Sequence, residues 1–406
     1  MKFALIGEKL PHSYSKEIHE AFGLNYTLNE VEKGGVERFF KENDYDGFNV
    51  TIPYKIEVIK YIDKLSETAA RVGSVNTVKR VDGKYYGYNT DVGGMRYMLK
   101  RAGVGVKDKT VLILGSGGTS LTARALCDED GAKKYYVVSR SGEINYDNCY
   151  ALKGVQIIIN CTPVGMYPKN LACPIDIKKF LRLCGVADMI YNPAKTRLLL
   201  DAERLGIKCI NGLSMLVAQA KRASEIFLGT EIDDGEIDRI CSLIEKNTGN
   251  IVLVGMPGCG KSTIADLIAK ATGRRLVDTD TLICEREGCP IPEIFASHGE
   301  DYFRACESRA AAESGKMSGC VIATGGGIVT REENLDSLRQ NGKIFFIRRD
   351  ISLLSRDGRP LSATADLDEM YAKRLPKYLE FADFTVDNVN TPEDCAGAII
   401  SIYTEE

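Results

Sequence analysis

Val111-Leu112-Ile113-Leu114-Gly115-Ser116-Gly117-Gly118 and Ile251-Val252-Leu253-Val254-Gly255-Met256-Pro257-Gly258-Cys259-Gly260-Lys261-Ser262 are the two stretches that decide the fold. Each is an apolar run that breaks into glycines. Each is followed by a helical pattern, Thr119–Cys127 in one case and Thr263–Ala271 in the other. A strand that feeds a glycine turn and then a helix N-terminus aims backbone N–H groups at phosphate oxygens. The first stretch, Gly-x-Gly-Gly, has the grammar of a dinucleotide site. The second, Gly-x4-Gly-Lys-Ser, has that of an ATP-type P-loop. A chain with both reads as two α/β enzymes joined end to end.

The rest of the chain supports this division. A length of 406 residues exceeds one ordinary core and predicts two or three domains. Apolar content of 44% and charged content of 27% are those of a globular protein. A formal charge of -3 and the lack of any basic tract predict no nucleic-acid partner. No run of 18 apolar residues predicts a membrane span. Thirteen scattered cysteines without a Cys-x-x-Cys pair, and an N-terminus that starts as a strand at Phe3–Ile6, predict a cytoplasmic protein. With three histidines, a His-rich metal site is not expected. A monomer and a homodimer are both compatible with the sequence.

Strands are predicted at Phe3–Ile6, Gly47–Thr51, Val111–Leu114, Tyr135–Val138, Gln156–Asn160, Val186–Ile190 and Lys208–Ile210. In the second half they are predicted at Ile251–Val254, Val321–Thr324, Ile344–Ile347 and Phe384–Asp387. Residues 74–89 read as a hairpin turning at Asp82-Gly83, and Lys55–Ile62 as a helix start after Pro53. Leu213–Leu228 has helical periodicity. The acidic stretch 230–249, with a short helical pattern around Ile240–Ile244, is the linker candidate.

Two sets of side chains carry the chemistry. In the first half, Ser13 and Ser15 have strand spacing and could face one pocket, and Asn49 and Thr51 repeat it. With Lys55, Asn76, Asn89, Thr90 and Asp91 they form a polar set suited to a polyhydroxylated, acidic small molecule. A lysine with an aspartate serves proton transfer during hydride transfer. Val138-Ser139-Arg140-Ser141 ends a strand with no acidic residue, and Arg140 favours a 2′-phosphate, hence NADP(H) over NAD. Only a short interval separates Arg140 from the Gln156 strand, so a helix there is short or missing. In the second half Lys261 and the backbone of Gly258, Cys259, Gly260 and Thr263 would cradle ATP phosphates, and Ser262 would ligate Mg²⁺. Asp278 and Asp280 are two apart; one would organise the Mg²⁺ shell and the other an acceptor hydroxyl. Arg304 is a candidate carboxylate clamp, Gly325-Gly326-Gly327 allows close backbone approach, Arg359 belongs to a lid, and Arg374 lies on the helix after it.

The N-terminal 229 residues resemble shikimate dehydrogenase. The resemblance lies in Pro11-His12-Ser13-Tyr14-Ser15, in Gly47-Phe48-Asn49-Val50-Thr51-Ile52-Pro53-Tyr54-Lys55, in Val75-Asn76-Thr77 and in Tyr88-Asn89-Thr90-Asp91. It continues in Asn160-Cys161-Thr162-Pro163-Val164-Gly165-Met166, in Asp188-Met189-Ile190-Tyr191-Asn192-Pro193 and in Asn211-Gly212-Leu213-Ser214-Met215-Leu216-Val217-Ala218-Gln219. It implies Lys55 and Asp91 as catalytic residues. It implies Ser13, Ser15, Asn49, Thr51, Asn76, Tyr191 and Gln219 at the substrate, and Gly115, Gly117, Gly118, Ser139, Arg140, Gly165, Met166 and Gly212 at NADP(H). Lys16 stands where the family usually has proline, and the family includes relatives that take quinate.

Residues 250–406 resemble shikimate kinase through the P-loop, Asp278-Thr279-Asp280, Phe303-Arg304-x-x-Glu307, the three glycines, Arg359-Pro360-Leu361 and Arg374-Leu375-Pro376-Lys377-Tyr378. That resemblance implies Asp280 at the ring hydroxyls, Asp278 near Mg²⁺, Arg304 and Arg374 on the carboxylate, and Arg359 at the transferring phosphate. The expected layout is a substrate-binding domain over 1–100, closed by a helix at about 213–228, then a Rossmann-like NADP domain over 101–229. A linker over 230–249 and a parallel-sheet P-loop kinase domain over 250–406 complete it. The product implied for the first half, shikimate from 3-dehydroshikimate, is the substrate implied for the second. One rival joins a quinate/shikimate dehydrogenase to another small-molecule kinase. A second rival, a sensor without turnover, would more naturally have lost Lys55, Asp91, Lys261 or Asp280.

Overall fold

A computed structural model describes residues 1–10, 14–354 and 367–405. Two compact units result. The first gathers residues 1–165, 173–191 and 198–242, and the second 243–406 with the short segments 166–172 and 192–197.

The first unit holds two sheets. The first sheet is built from β1 (Phe3–Gly7), β2 (Tyr26–Glu30), β3 (Gly47–Val50), β4 (Lys64–Leu65), β5 (Thr77–Val81) and β6 (Lys84–Tyr88), in the order β2-β1-β3-β5-β6-β4. Its centre is parallel, because helices α1 (Ser15–Ala21) and α2 (Val36–Glu42) carry the chain back. The β5–β6 pair is the predicted hairpin, with Asp82 at φ 50° and Gly83 at φ 77° as its two turn residues. Two expectations change here. Ser15 opens α1 instead of lying on a strand; Ser13 lies outside the described residues. After Pro53 the chain makes only a 3-10 turn, Glu57–Tyr61, in place of an α-helix. Short helix α3 (Glu67–Val72) is capped by the Ser66 hydroxyl, which accepts from the Ala69 N–H.

Helix α4 (Asp91–Arg101) leads into the second sheet: β7 (Thr110–Leu114), β8 (Lys134–Val138), β9 (Ile157–Asn160), β10 (Gly185–Asp188) and β11 (Lys208–Ile210). All are parallel, in the order β11-β10-β9-β7-β8. Strand β7 is apolar on both faces for a reason: Val111 and Ile113 enter one core, Leu112 and Leu114 the other. Helix α5 (Gly118–Glu129) follows β7. Between β8 and β9 there is only the 3-10 turn Cys149–Ala151, as the short interval predicts. Helix α6 (Arg197–Arg204) precedes β11, and α7 (Leu213–Leu228) returns to pack on α4 and α1. The expected linker is mostly helix: α8 (Gly235–Thr248) buries Ile237, Ile240, Cys241 and Ile244 along one face.

The second unit is a parallel sheet of β12 (Asn250–Val254), β13 (Arg275–Asp278), β14 (Cys320–Ala323), β15 (Gly342–Arg348) and β16 (Phe384–Asp387), in the order β13-β14-β12-β15-β16. The segment Arg275–Val277 is therefore a strand of the sheet. Helices α9 (Lys261–Thr272), α10 (Thr279–Glu287), α11 (Ile291–Ser314) and α12 (Glu333–Arg339), with Leu367–Phe381 and Pro392–Glu405, cover it. Helix α11 breaks at Gly299, φ 80°. In both parallel sheets the glycine-rich turn follows a strand whose neighbours on its two sides come from different parts of the chain. Such a switch point opens a crevice at the carboxyl ends of the strands. All 13 cysteines are free thiols. Among the described residues, no helix is long and apolar enough to cross a membrane.

Candidate active sites

In the first unit a cavity of about 560 Å³ runs from the ends of β3 and β5 to the first turn of α5. Ser15, Asn49, Thr51, Lys55, Asn76, Asp91, Tyr191 and Gln219 all line it, as do Gly118 and Gly212. Lys55 Nζ donates to Asp91 Oδ2 at 2.7 Å. The other carboxylate oxygen accepts from Asn76 Nδ2 at 2.8 Å, and the Asn89 side chain accepts from the Asp91 amide at 3.1 Å. Asp91, at the start of α4, also faces the positive end of that helix. Each carboxylate oxygen thus has its own donor, Lys55 on one and Asn76 on the other, while Asn89 fixes the backbone. Gln219, on α7, reaches the same cluster: its Oε1 accepts from Thr90 Oγ1 at 3.3 Å. Residues 49 to 219 meet here because β3, β5, α4 and α7 converge.

The dinucleotide turn leaves β7 through Gly115, at φ 100°, where a Cβ would lie 3.0 Å from Thr162 Cγ2. Gly117 stands at the N-cap of α5 with no side-chain cap, and a Cβ there or at Gly118 would meet nothing within 4 Å. The first amides of α5 are therefore open to an anion. Ser139 closes a tight turn after β8 by donating its N–H to Ile144 O at 3.1 Å. Arg140 is exposed beside it, Gly165 is buried at φ 98°, and Met166 is exposed. Behind the turn, Asn160 and Asp188 are fully buried at the ends of β9 and β10, and Asn160 Nδ2 donates to Asp188 Oδ1 at 2.9 Å. Asn160 Oδ1 caps the following turn by accepting from the Thr162 amide, and the same Asp188 Oδ1 accepts from the Ile190 amide.

In the second unit a cavity of about 230 Å³ is lined by Gly258, Gly260, Lys261, Ser262, Thr263, Asp278, Asp280, Arg304, Gly325, Gly326, Gly327 and Arg374. Lys261 Nζ donates to the carbonyls of Gly255 and Met256, each at 2.9 Å. Ser262 Oγ donates to Asp278 Oδ2 at 3.1 Å, while Asp278 Oδ1 caps α10 by accepting from the Asp280 amide at 2.9 Å. A hydroxyl and a carboxylate oxygen side by side are the hard donors that Mg²⁺ prefers, so these two residues fit that ion. Cys259 differs from its neighbours: its thiol is buried in the core and its N–H donates to Met256 O. Arg359 lies outside the described residues.

The three glycines have a steric cause. A Cβ on Gly325 would lie 2.6 Å from Asp280 Oδ1 and 2.8 Å from Glu307 Oε1. One on Gly326 would lie 2.6 Å from Pro257 of the P-loop, and one on Gly327 would overlap the Arg304 guanidinium. Any side chain there would push apart the groups that line the cavity. Arg304 is buried and ion-paired to Glu307, and its other edge binds Glu300 at 2.8 Å. Burial raises the Glu307 carboxyl above its ordinary range, against the pull of Arg304. Arg374 Nη1 donates to Gly326 O at 3.2 Å, beside the Tyr378 hydroxyl on the same carbonyl.

Sequence reasoning passed over His19 and Tyr26. His19 lines the first cavity, buried, with its ring stacked on Tyr26 at 4.1 Å. Burial lowers its pKa to about 3, so the imidazole is neutral. No local motif marks either residue; only the placement of β2 and β3 on the two sides of β1 brings Tyr26 beside Asn49.

These two sites coincide with known families. The shikimate kinase family profile matches residues 257–404, and that of the shikimate dehydrogenase substrate binding domain matches residues 5–78. A shikimate dehydrogenase (NADP(+)) of Clostridium beijerinckii is 36% identical over 264 residues, 60% of this chain and 97% of that protein. One from Methanococcus maripaludis is 38% identical over 263 residues, 56% of this chain and 91% of its own. Among solved structures, a chorismate mutase/shikimate 5-dehydrogenase fusion protein from Clostridium acetobutylicum is similar with a TM-score of 0.57 and 39% identity. The match covers 60% of this chain and 97% of that one. The Thermus thermophilus shikimate 5-dehydrogenase in complex with NADP(H) and shikimate is similar with a TM-score of 0.54 and 27% identity, over 59% and 98% of the two chains. The fold and the two cavities thus define a nucleotide-dependent α/β enzyme built twice. The chain belongs to the shikimate dehydrogenase family in its N-terminal part, fused to a C-terminal shikimate kinase domain.

Proposed function

We propose that this bifunctional enzyme reduces 3-dehydroshikimate to shikimate with NADPH in its first half and phosphorylates shikimate to shikimate 3-phosphate with ATP in its second. One observation carries the reading: the cavity that holds the Lys55–Asp91 pair reaches Gly118 and Thr119, the open first turn of the dinucleotide helix. That turn would hold the phosphates of NADP(H), whose nicotinamide would supply a hydride to a carbonyl held at Lys55. When bound, NADPH supplies the hydride, and ATP with Mg²⁺ supplies the phosphoryl group.

As the C3 carbonyl takes up hydride, Lys55 stabilises the developing alkoxide and gives it a proton from Nζ. Asp91 keeps the lysine aimed and offsets its charge. Ser13, Ser15, Asn49, Thr51, Asn76, Tyr191 and Gln219 bind the carboxylate and ring hydroxyls. Gly115, Gly117, Gly118, Gly165, Met166 and Gly212 seat the dinucleotide, with Ser139 and Arg140 at its 2′-phosphate.

In the kinase half the new hydroxyl attacks the γ-phosphorus, and the bond to the β-γ bridging oxygen breaks. Asp280 orients that hydroxyl and takes its proton. Lys261, the backbone of residues 258–263 and Arg359 neutralise the phosphoryl oxygens. Ser262 and Asp278 would hold Mg²⁺, and Arg304 with Arg374 would clamp the carboxylate against the three glycines. Domain limits of 1–100, 101–229 and 250–406 remain part of this proposal.

Incubation of the pure chain with 3-dehydroshikimate, NADPH, ATP and Mg²⁺, read by product mass, tests it. Shikimate should appear in passing and shikimate phosphate should accumulate. Shikimate alone would sink the kinase assignment, and unconsumed 3-dehydroshikimate the reductase assignment.

A further inference from the structure

The hydrogen-bond polarity of one wall of the reductase cavity follows from a chain of donors and acceptors, and it gives Tyr26 a role; this rests on the reductase reading above. Asn49 lines the cavity and is buried. Its Nδ2 lies 3.2 Å from Asn76 O and 3.0 Å from Thr77 Oγ1. A backbone carbonyl only accepts, so the nitrogen of the amide must be on that side. Thr77 Oγ1 in turn donates to Asn76 Oδ1 at 3.1 Å, which leaves it an acceptor toward Asn49. Both Nδ2 hydrogens are then used, and Oδ1 faces the Tyr26 hydroxyl at 2.7 Å, with Tyr26 as the donor. Behind Tyr26, the ring of His19 stacks at 4.1 Å and 13°. His19 Nδ1 lies 3.0 Å from Ser224 Oγ, whose one hydrogen goes to Ala220 O at 2.9 Å, so Nδ1 carries the proton. The stack leaves the Tyr26 ring little freedom to swing its hydroxyl away.

We infer that Tyr26 is a positioning residue that locks Asn49, so that Asn49 offers the cavity a single hydrogen-bonding position, the second lone pair of Oδ1. An acceptor locked in this way selects a ligand that places a hydroxyl there and rejects one that places a carbonyl or ether oxygen there. Tyr26 touches neither substrate nor cofactor; it acts through Asn49.

Steady-state kinetics of the full chain test this with Tyr26→Phe, Asn49→Ala and the double variant. Y26F keeps the stacked ring and removes one hydrogen bond. It should raise KM for 3-dehydroshikimate about three- to ten-fold, with kcat and KM for NADPH changed less than two-fold. On the N49A background the same change should have no further effect on KM. An unchanged KM in folded Y26F, or a KM effect that persists when Asn49 is absent, would overturn the inference. Should Y26F not fold, Thr77→Val removes another of the restraints on the amide and is read by the same cycle. Absence of turnover by the unaltered chain would overturn the reductase reading, and this inference with it.

Discussion

Lys55 and His19 show how differently two basic side chains behave in one cavity. Lys55 is partly exposed and sits 2.7 Å from the Asp91 carboxylate. Its replacement by alanine should lower the reductase kcat by about 10² to 10⁴-fold, measured at saturating NADPH. For His19, burial alone lowers the pKa from 6.5 to about 3. The sign follows from linkage. Above pH 6.5 the folded and unfolded forms are both neutral at this site and it contributes nothing. Below that, the unfolded chain takes up a proton that the folded chain refuses, so stability falls as pH drops from 6.5 toward about 3. The slope is roughly 1.4 kcal/mol per pH unit at most. Urea midpoints of the transition that NADP⁺ displaces, taken at pH 7 and pH 5, should fall less in His19→Gln than in the unaltered chain. Arg140, exposed at the end of β8, belongs to the same scale. Arg140→Ala should raise KM for NADPH at least ten-fold while leaving KM for NADH nearly unchanged, because NADH lacks the 2′-phosphate that the charge would meet. Equal effects on the two would remove Arg140 from the cofactor site.

At the scale of elements, both phosphate cradles are strand–turn–helix units whose surroundings explain the glycines. A P-loop glycine is expected from local backbone alone. The Gly325–Gly327 run is different: its steric reason lies in Pro257, Asp280, Glu307 and Arg304, which come from three other segments. Gly327→Ala should therefore displace Arg304 and raise the kinase KM for shikimate well above ten-fold, with KM for ATP little changed. A rise confined to ATP would contradict the placement of Arg304 at the acceptor. The ends of β9 and β10 are tied by the buried Asn160–Asp188 pair, with each residue also capping the next turn. Asp188→Ala leaves the Asn160 amide buried and unmatched. It should cost about 2–3 kcal/mol of stability, seen as a lower urea midpoint.

Across the whole molecule, two units with separate cores each hold their own cavity lined by candidate reacting groups. Lys55→Ala should remove only the reductase and Lys261→Ala only the kinase, each assayed on its own substrate. Loss of both activities from either change in folded protein would contradict two independent sites. Much of this was legible before any coordinates. The cradles, the parallel strands around them, the β5–β6 hairpin and helix α7 depend on contacts between near neighbours in the chain, where glycine, periodicity and turn chemistry act directly. The α8 helix was read largely as linker, because its acidic face dominates the composition and its four buried apolar residues matter only once a core receives them. Ser15 looked strand-like because two serines two apart fit that period, yet the chain turns into α1 between β1 and β2. The sequence by itself determined which chemistry each half carries, since a phosphate cradle is a short-range property of the backbone. Tertiary structure alone decided that Lys55, Asp91 and Gln219 share one cavity and that Tyr26 and His19 stand behind it. Those meetings depend on strand order and helix packing across up to 200 residues, which no local pattern encodes.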